Sequence, residues 1–136
     1  MTEVSLKSLL VPSKQAEVEY PGLPDFKIQL GFMSRETLIG LRKRATKTMI
    51  KSRQTTEEFN EDLFVELYSE AAIKGWSGLK FKYVESLAPV DVTKFDTEDF
   101  LGYSKDNALM LMKNSSEFDG FITEQVNDLG NFNKTK

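Results

Sequence analysis

Cysteine and histidine are both missing from these 136 residues. Their absence removes the disulfide, the thiolate nucleophile, the imidazole base and the zinc-type metal site at one stroke. Active sites built without either residue are a minority. The carboxylates, lysines, tyrosines and hydroxyls that remain repeat no known catalytic spacing, and Ser104-Lys105 and Ser52-Arg53 are adjacent rather than one helical turn apart. A non-enzymatic protein is expected, with no catalytic residue, no cofactor and no metal. Long apolar runs are missing as well. Nothing approaches the roughly 20 residues that span a bilayer, and Lys7 and Ser8 interrupt the stretch from Val4 to Val11 that would have to serve as a signal core. Neither a membrane partner nor secretion is expected.

What is present is an ordinary globular composition, 40% hydrophobic and 29% charged with a net charge of -3, and enough chain for one core. Pro12, Pro21 and Pro24 keep a long helix out of the first segment. Ala16 to Tyr20 alternates apolar and charged residues, and Phe26, Ile28, Leu30 and Phe32 share one face at period two. With Pro21-Gly22-Leu23-Pro24-Asp25 between them as turn residues, a β-hairpin is predicted. Two strands alone are marginal in water, so this hairpin must pack on the rest or pair with another copy, which is a route to a homo-oligomer.

Beyond it the spacing predicts helices. Ser34 caps the first, which runs to about Lys51 with Leu38, Leu41, Ala45 and Met49 as its stripe. Between Arg35 and Arg53 stand seven basic residues against one acid, and Arg42, Lys43, Arg44 and Lys47 form a charged interaction face. Thr55-Thr56-Glu57-Glu58 reads as a capping box opening the second helix, whose exposed side carries Glu57, Glu58, Glu61, Asp62, Glu66 and Glu70. Opposite charge favours pairing of the two helices, although exposed ion pairs contribute only about 0–1 kcal/mol each. The second helix stops at Gly75-Trp76-Ser77-Gly78, where Gly75 takes a left-handed turn and Trp76 plugs back as a core anchor. Phe81, Tyr83 and Val84 alternate with lysines like a short strand. Asp96, Glu98 and Asp99 make an acidic cluster that lacks the ligand periodicity of a calcium loop and reads as a solvated turn. Ser104 caps a third helix, and Ser115 or Ser116 opens a fourth that Gly130 closes.

Three blocks carry a resemblance: Ile73-Lys74-Gly75-Trp76-Ser77-Gly78, then Tyr103-Ser104-Lys105-Asp106-Asn107-Ala108-Leu109-Met110-Leu111, then Phe118 to Ile122 with Asn131-Phe132. In this order they resemble the tail assembly chaperones of long-tailed bacteriophages, over roughly Phe32 to Phe132. Met112 stands where a second leucine is common, and the segment from Lys80 to Gly102 is longer than the usual connector. The resemblance implies a non-enzymatic protein of the host cytoplasm that binds the tape measure protein, keeps it soluble, and yields it as the tail tube protein polymerises. The expected fold is mainly α: about four helices over residues 34–132, an N-terminal arm and β-hairpin over 1–33, and a polar tail over 133–136. Ten phenylalanines leave apolar surface to spare, and Leu109, Met112, Phe118 and Phe121 are the candidate partner-binding residues. The rival readings are a nucleic-acid-binding regulator using the basic helix and a structural virion component. Phosphate binding ranks lower, because no helix-turn-helix pattern follows the basic stretch and no aromatics interleave with it.

Overall fold

The computed structural model describes residues 5–10 and 14–132; the polar tail lies outside them. In chain order the elements are α1 (Leu6–Leu9), β1 (Gln15–Glu19), β2 (Lys27–Gly31), α2 (Arg35–Arg44), β3 (Thr46–Lys51), β4 (Gln54–Phe59), α3 (Glu61–Ala72), β5 (Ile73–Ser77), α4 (Phe81–Leu87), α5 (Lys105–Asn114), α6 (Ser116–Val126) and a 3-10 turn (Leu129–Phe132). Among the described residues, five strands in two antiparallel sheets make this a mixed α/β fold, and the mainly-α expectation is corrected on that finding.

The N-terminal hairpin forms as its period-two pattern predicts, with Val18 opposite Ile28 and Ala16 opposite Leu30. It does not stand alone. β2 also pairs with β5, giving a three-stranded sheet in the order β1-β2-β5. Along β2, Ile28 and Leu30 are buried while Lys27 and Gln29 face solvent. The apolar face packs on α3 and α6, and α5 closes the core behind them.

Where the second helix was expected to stop on glycine, the chain instead passes from α3 straight into β5. Gly75 lies inside that strand opposite Gln29, and the left-handed residue is Gly78, with φ +76°. A Cβ on Gly78 would collide with the Asp25 backbone carbonyl, so a turn and a close approach both require glycine there. Trp76 lies in β5 opposite Ile28. Its ring stands edge-on to Phe26 (6.3 Å) and Tyr103 (5.3 Å), and its Nε1–H donates to the Leu101 carbonyl at 2.9 Å.

Further expectations are corrected. The first long helix ends at Arg44 rather than Lys51, and residues 46–59 form the separate β3–β4 hairpin. Thr46, Thr48, Ile50, Thr55 and Thr56 are β-branched and favour strands, while Arg42, Lys43 and Arg44 in the last turn suit the negative end of the α2 dipole. Thr55 to Glu58 is therefore a strand and not a capping box. The cap of α3 is Asn60, whose side chain accepts from the Leu63 N–H at 3.0 Å. The lysine-flanked stretch expected as a strand is helix α4, with Val84 and Leu87 buried three residues apart on one side. From α4 the chain returns through a loop that meets Leu79 and Lys80 again at Phe100 and Leu101. The caps at Ser34, Ser104 and Ser115 all form, accepting from the N–H groups of Thr37, Asn107 and Phe118. The fourth helix ends at Val126, before Gly130.

Tyr20 ties the hairpin to α6, stacking on Phe26 and Phe118 and lying 4.6 Å from the Phe121 ring centroid. Its hydroxyl is buried without a hydrogen-bond partner. Burial first, and the charge of Glu117 second, push its pKa from 10.0 up to about 12. The unfolded tyrosine gives up its proton near pH 10 while the folded one holds it, so this contribution is full below pH 10 and is lost as pH rises towards 12. Tyr20→Phe should flatten part of that alkaline loss and be neutral or stabilising at neutral pH, because it removes a buried unpaired hydroxyl. Urea titrations on both proteins across this pH range check it; parallel pH profiles would show that Tyr20 ionises as it does in water.

Candidate functional site

Between α2, α3 and α6 lies a groove of about 450 Å³. Its position follows from the corrected fold. Because α2 stops at Arg44 and the chain returns along β4 to Asn60, Phe59 is set at the mouth of the space that α3 opens with Phe64, Val65 and Tyr68. The three rings form a ladder, Phe59 to Phe64 at 5.6 Å and Phe64 to Tyr68 at 5.9 Å between centroids. Leu38 of α2 and Met112 of α5 complete the apolar part.

The rim is polar and carries both signs. Arg42 lies over the Phe64 ring, 5.3 Å from its centroid, an attraction worth about 0.5–1 kcal/mol at an exposed site. Glu61, Asp119, Thr123 and Asn127 stand around the other sides. The Tyr68 hydroxyl is buried here and makes no hydrogen bond. The Thr123 hydroxyl donates instead to Asp119 Oδ1, at 3.4 Å. Burial pushes the Tyr68 pKa above its ordinary value, Thr123 offsets part of that rise, and Asp119 adds to it. A ligand in this groove would thus meet aromatic faces, a cation at one side and an oxygen still lacking a partner.

The four candidate partner-binding residues do not form one surface. Phe118 has 0% of its surface exposed and Met112 has 7%, so both belong to the core, although Met112 also reaches the groove. Leu109 and Phe121 are half-buried, and Phe121 is committed to Tyr20. The basic residues are divided too. Arg42, Lys43 and Arg44 occupy the last exposed turn of α2, while Lys47 is on β3 opposite Glu58. Lys47, Glu58, Glu61 and Asp62 line one shallow recess, so an incoming phosphate would meet carboxylates beside the cation. Gly75 and Trp76 lie in β5, Gly78 in the turn after it, and Ser104 caps α5.

The acidic turn has its own explanation. Glu98 bridges Lys80 (3.0 Å) and Lys82 (2.9 Å), and those two ammonium groups hold its pKa below the ordinary carboxylate range. This fastens the loop after α4 to that helix's first turn. Helical spacing hides the groove in the sequence, because it runs Phe59 and Phe64 together in one element, whereas they lie on β4 and α3. Their true signal was the Asn60 between them, a helix-capping residue.

No helix among the described residues is long and apolar enough to cross a membrane. No curated protein and no solved structure matches the chain. One family model does match, over residues 34–136, beginning at the cap of α2 and leaving the β1–β2 hairpin outside. That model is described as YdaY prophage protein, and the chain, a phage-related protein, belongs to this family.

Proposed function

We propose that this protein is a phage tail assembly chaperone that binds the tape measure protein, keeps it soluble and promotes tail tube assembly. The observation that carries the reading is the groove between α2, α3 and α6, an aromatic and aliphatic trough with a mixed-charge rim. Such troughs take the apolar face of an amphipathic helix, anchored at residues three and four apart. The phage-related family and the order of the Gly-Trp, Tyr-Ser and Asn-Phe blocks support it from the sequence side. A tape measure is a very long helical chain with apolar faces that self-associate unless covered. Covering each face with one small protein keeps it soluble by mass action. A groove of this size takes only a few anchor side chains, so each copy holds its segment loosely enough for tube subunits to displace it.

Val65, half-buried in the groove wall, offers the test. Val65→Glu should weaken capture of tape measure fragments at least tenfold, about 1.4 kcal/mol, because a charge in the trough loses its water when the partner helix docks. Co-expression and pull-down read the capture, and circular dichroism establishes that the variant is folded. Wild-type protein that retains no tape measure fragment, or a folded Val65→Glu that retains them undiminished, ends the proposal.

A further inference from the structure

The β3–β4 hairpin leaves the body of the protein at its base, where the Asn60 N–H donates to the Ala45 carbonyl at 2.8 Å. Beyond that base it is a sheet of two strands whose outer edges pair with no other strand among the described residues. Every residue of β4 is exposed, and Ile50 on β3 is 78% exposed. Its connection uses Ser52 and Arg53 at φ +51° and +67°, a turn geometry that normally selects glycine or asparagine. A two-stranded sheet of this kind is marginally stable in water, and an open edge is a template for another strand.

The charges on this hairpin are sorted by strand. β3 carries Lys47 and Lys51 and no acid, while β4 carries Glu57 and Glu58 and no base. Charged edges ordinarily guard against pairing, and here they do so selectively. Setting β3 against the β3 of a second copy brings lysines together, and setting β4 against β4 brings glutamates together. Setting β4 of one copy against β3 of the next repeats the complementarity already present inside the hairpin, where Lys47 faces Glu58.

We propose that the β3–β4 hairpin is a self-assembly element, in which the β4 edge of one copy adds to the β3 edge of the next copy of this chain. The contact is head-to-tail, so it propagates as a ring or an open filament rather than closing as a two-fold dimer. It uses the backbone edges of β3 and β4, of which only the last residue, Phe59, also lines the groove, and it needs no other protein, so it stands or falls separately from the chaperone reading.

The test uses purified full-length protein. Light scattering over a concentration series should show reversible self-association that weakens as salt is added, because exposed charges are screened. A variant carrying Lys47→Glu, Lys51→Glu, Glu57→Lys and Glu58→Lys keeps the pairing within its own hairpin and should still associate with itself. Mixed with fluorescently labelled wild type, it should form no joint assemblies, since every mixed contact sets like charges together. Free co-assembly of the two proteins would overturn the proposal, and preferential co-assembly would point to two-fold pairing instead, which overturns it equally. Should the variant fail to fold, the wild type decides alone: a monomer at every concentration, or association indifferent to salt, rules the head-to-tail contact out.

Discussion

Replacing Phe118 with alanine should destabilise the protein by about 3–5 kcal/mol, the usual cost of deleting a large buried ring together with the cavity it leaves. Phe118 has no exposed surface, its ring stacks on Tyr20 at 6.1 Å, and its N–H is held by the Ser115 side chain at the start of α6. The ring sits where the N-terminal sheet meets the helices, so neighbouring side chains cannot close the gap without moving β2 or α6. Against a typical total stability of about 5–15 kcal/mol, the variant should lose a large share of its margin. Urea unfolding reads the effect directly. Phe121→Ala, at a half-buried position, is the internal comparison and should cost clearly less. A Phe118→Ala protein as stable as the wild type, yet unable to hold a tape measure fragment, would return Phe118 to the partner surface.

The elements legible in the sequence were those whose signals are local. The alternation from Ala16 to Phe32 marked the first hairpin and its buried face, and Ser34, Ser104 and the pair Ser115-Ser116 marked three helix starts, because a cap is a contact within one turn. The β3–β4 hairpin was hidden by its own composition. Its turn is Ser52-Arg53, with no glycine or asparagine to announce it, and Leu41, Ala45 and Met49 keep a helical spacing across the point where α2 ends. Thr55 and Glu58 then imitate a capping box while lying in a strand. β5 was hidden differently. Ile73–Ser77 becomes a strand only because β2, more than 40 residues earlier, offers it an edge, and no local pattern records such a partner.

The groove suffered from the same error. Its walls come from α2, β4, α3, α5 and α6, so finding it required the break at Asn60 as well as the packing of distant elements. The large apolar residues of α5 and α6 suggest a partner surface in the sequence, but most of them belong to the core. Phe118, Ile122 and Val126 are completely buried against the sheet, and the sheet was the layer missing from a helical reading. Phe59 is among the large apolar side chains left exposed, at 45%, and it alone of them lines the groove, on an element whose spacing reads as helix.

Trp76 is half-buried against the core, so Trp76→Ala should cost towards the lower end of the about 3–5 kcal/mol of a large-ring deletion, and the loss should fall unevenly over the molecule. The indole does two separable things. Its ring fills the space between Phe26 and Tyr103, and its N–H satisfies the Leu101 carbonyl, fastening the loop after α4 to the edge of the sheet. Trp76→Phe keeps much of the ring contact but leaves that carbonyl without its donor, a loss of about 1–3 kcal/mol. The two variants therefore bracket packing against hydrogen bonding. Hydrogen exchange should then show the Leu101 and Phe81 amides, which donate to Leu79 and Asp99, losing protection in both variants, with the amides of β2 losing it only in Trp76→Ala. Trp76 is the only tryptophan, so its emission should move to the red as the wild type unfolds. Emission unchanged on unfolding, together with an alanine variant that melts like the wild type, would remove Trp76 from the core and with it the account of how the long segment from Lys80 to Gly102 is held.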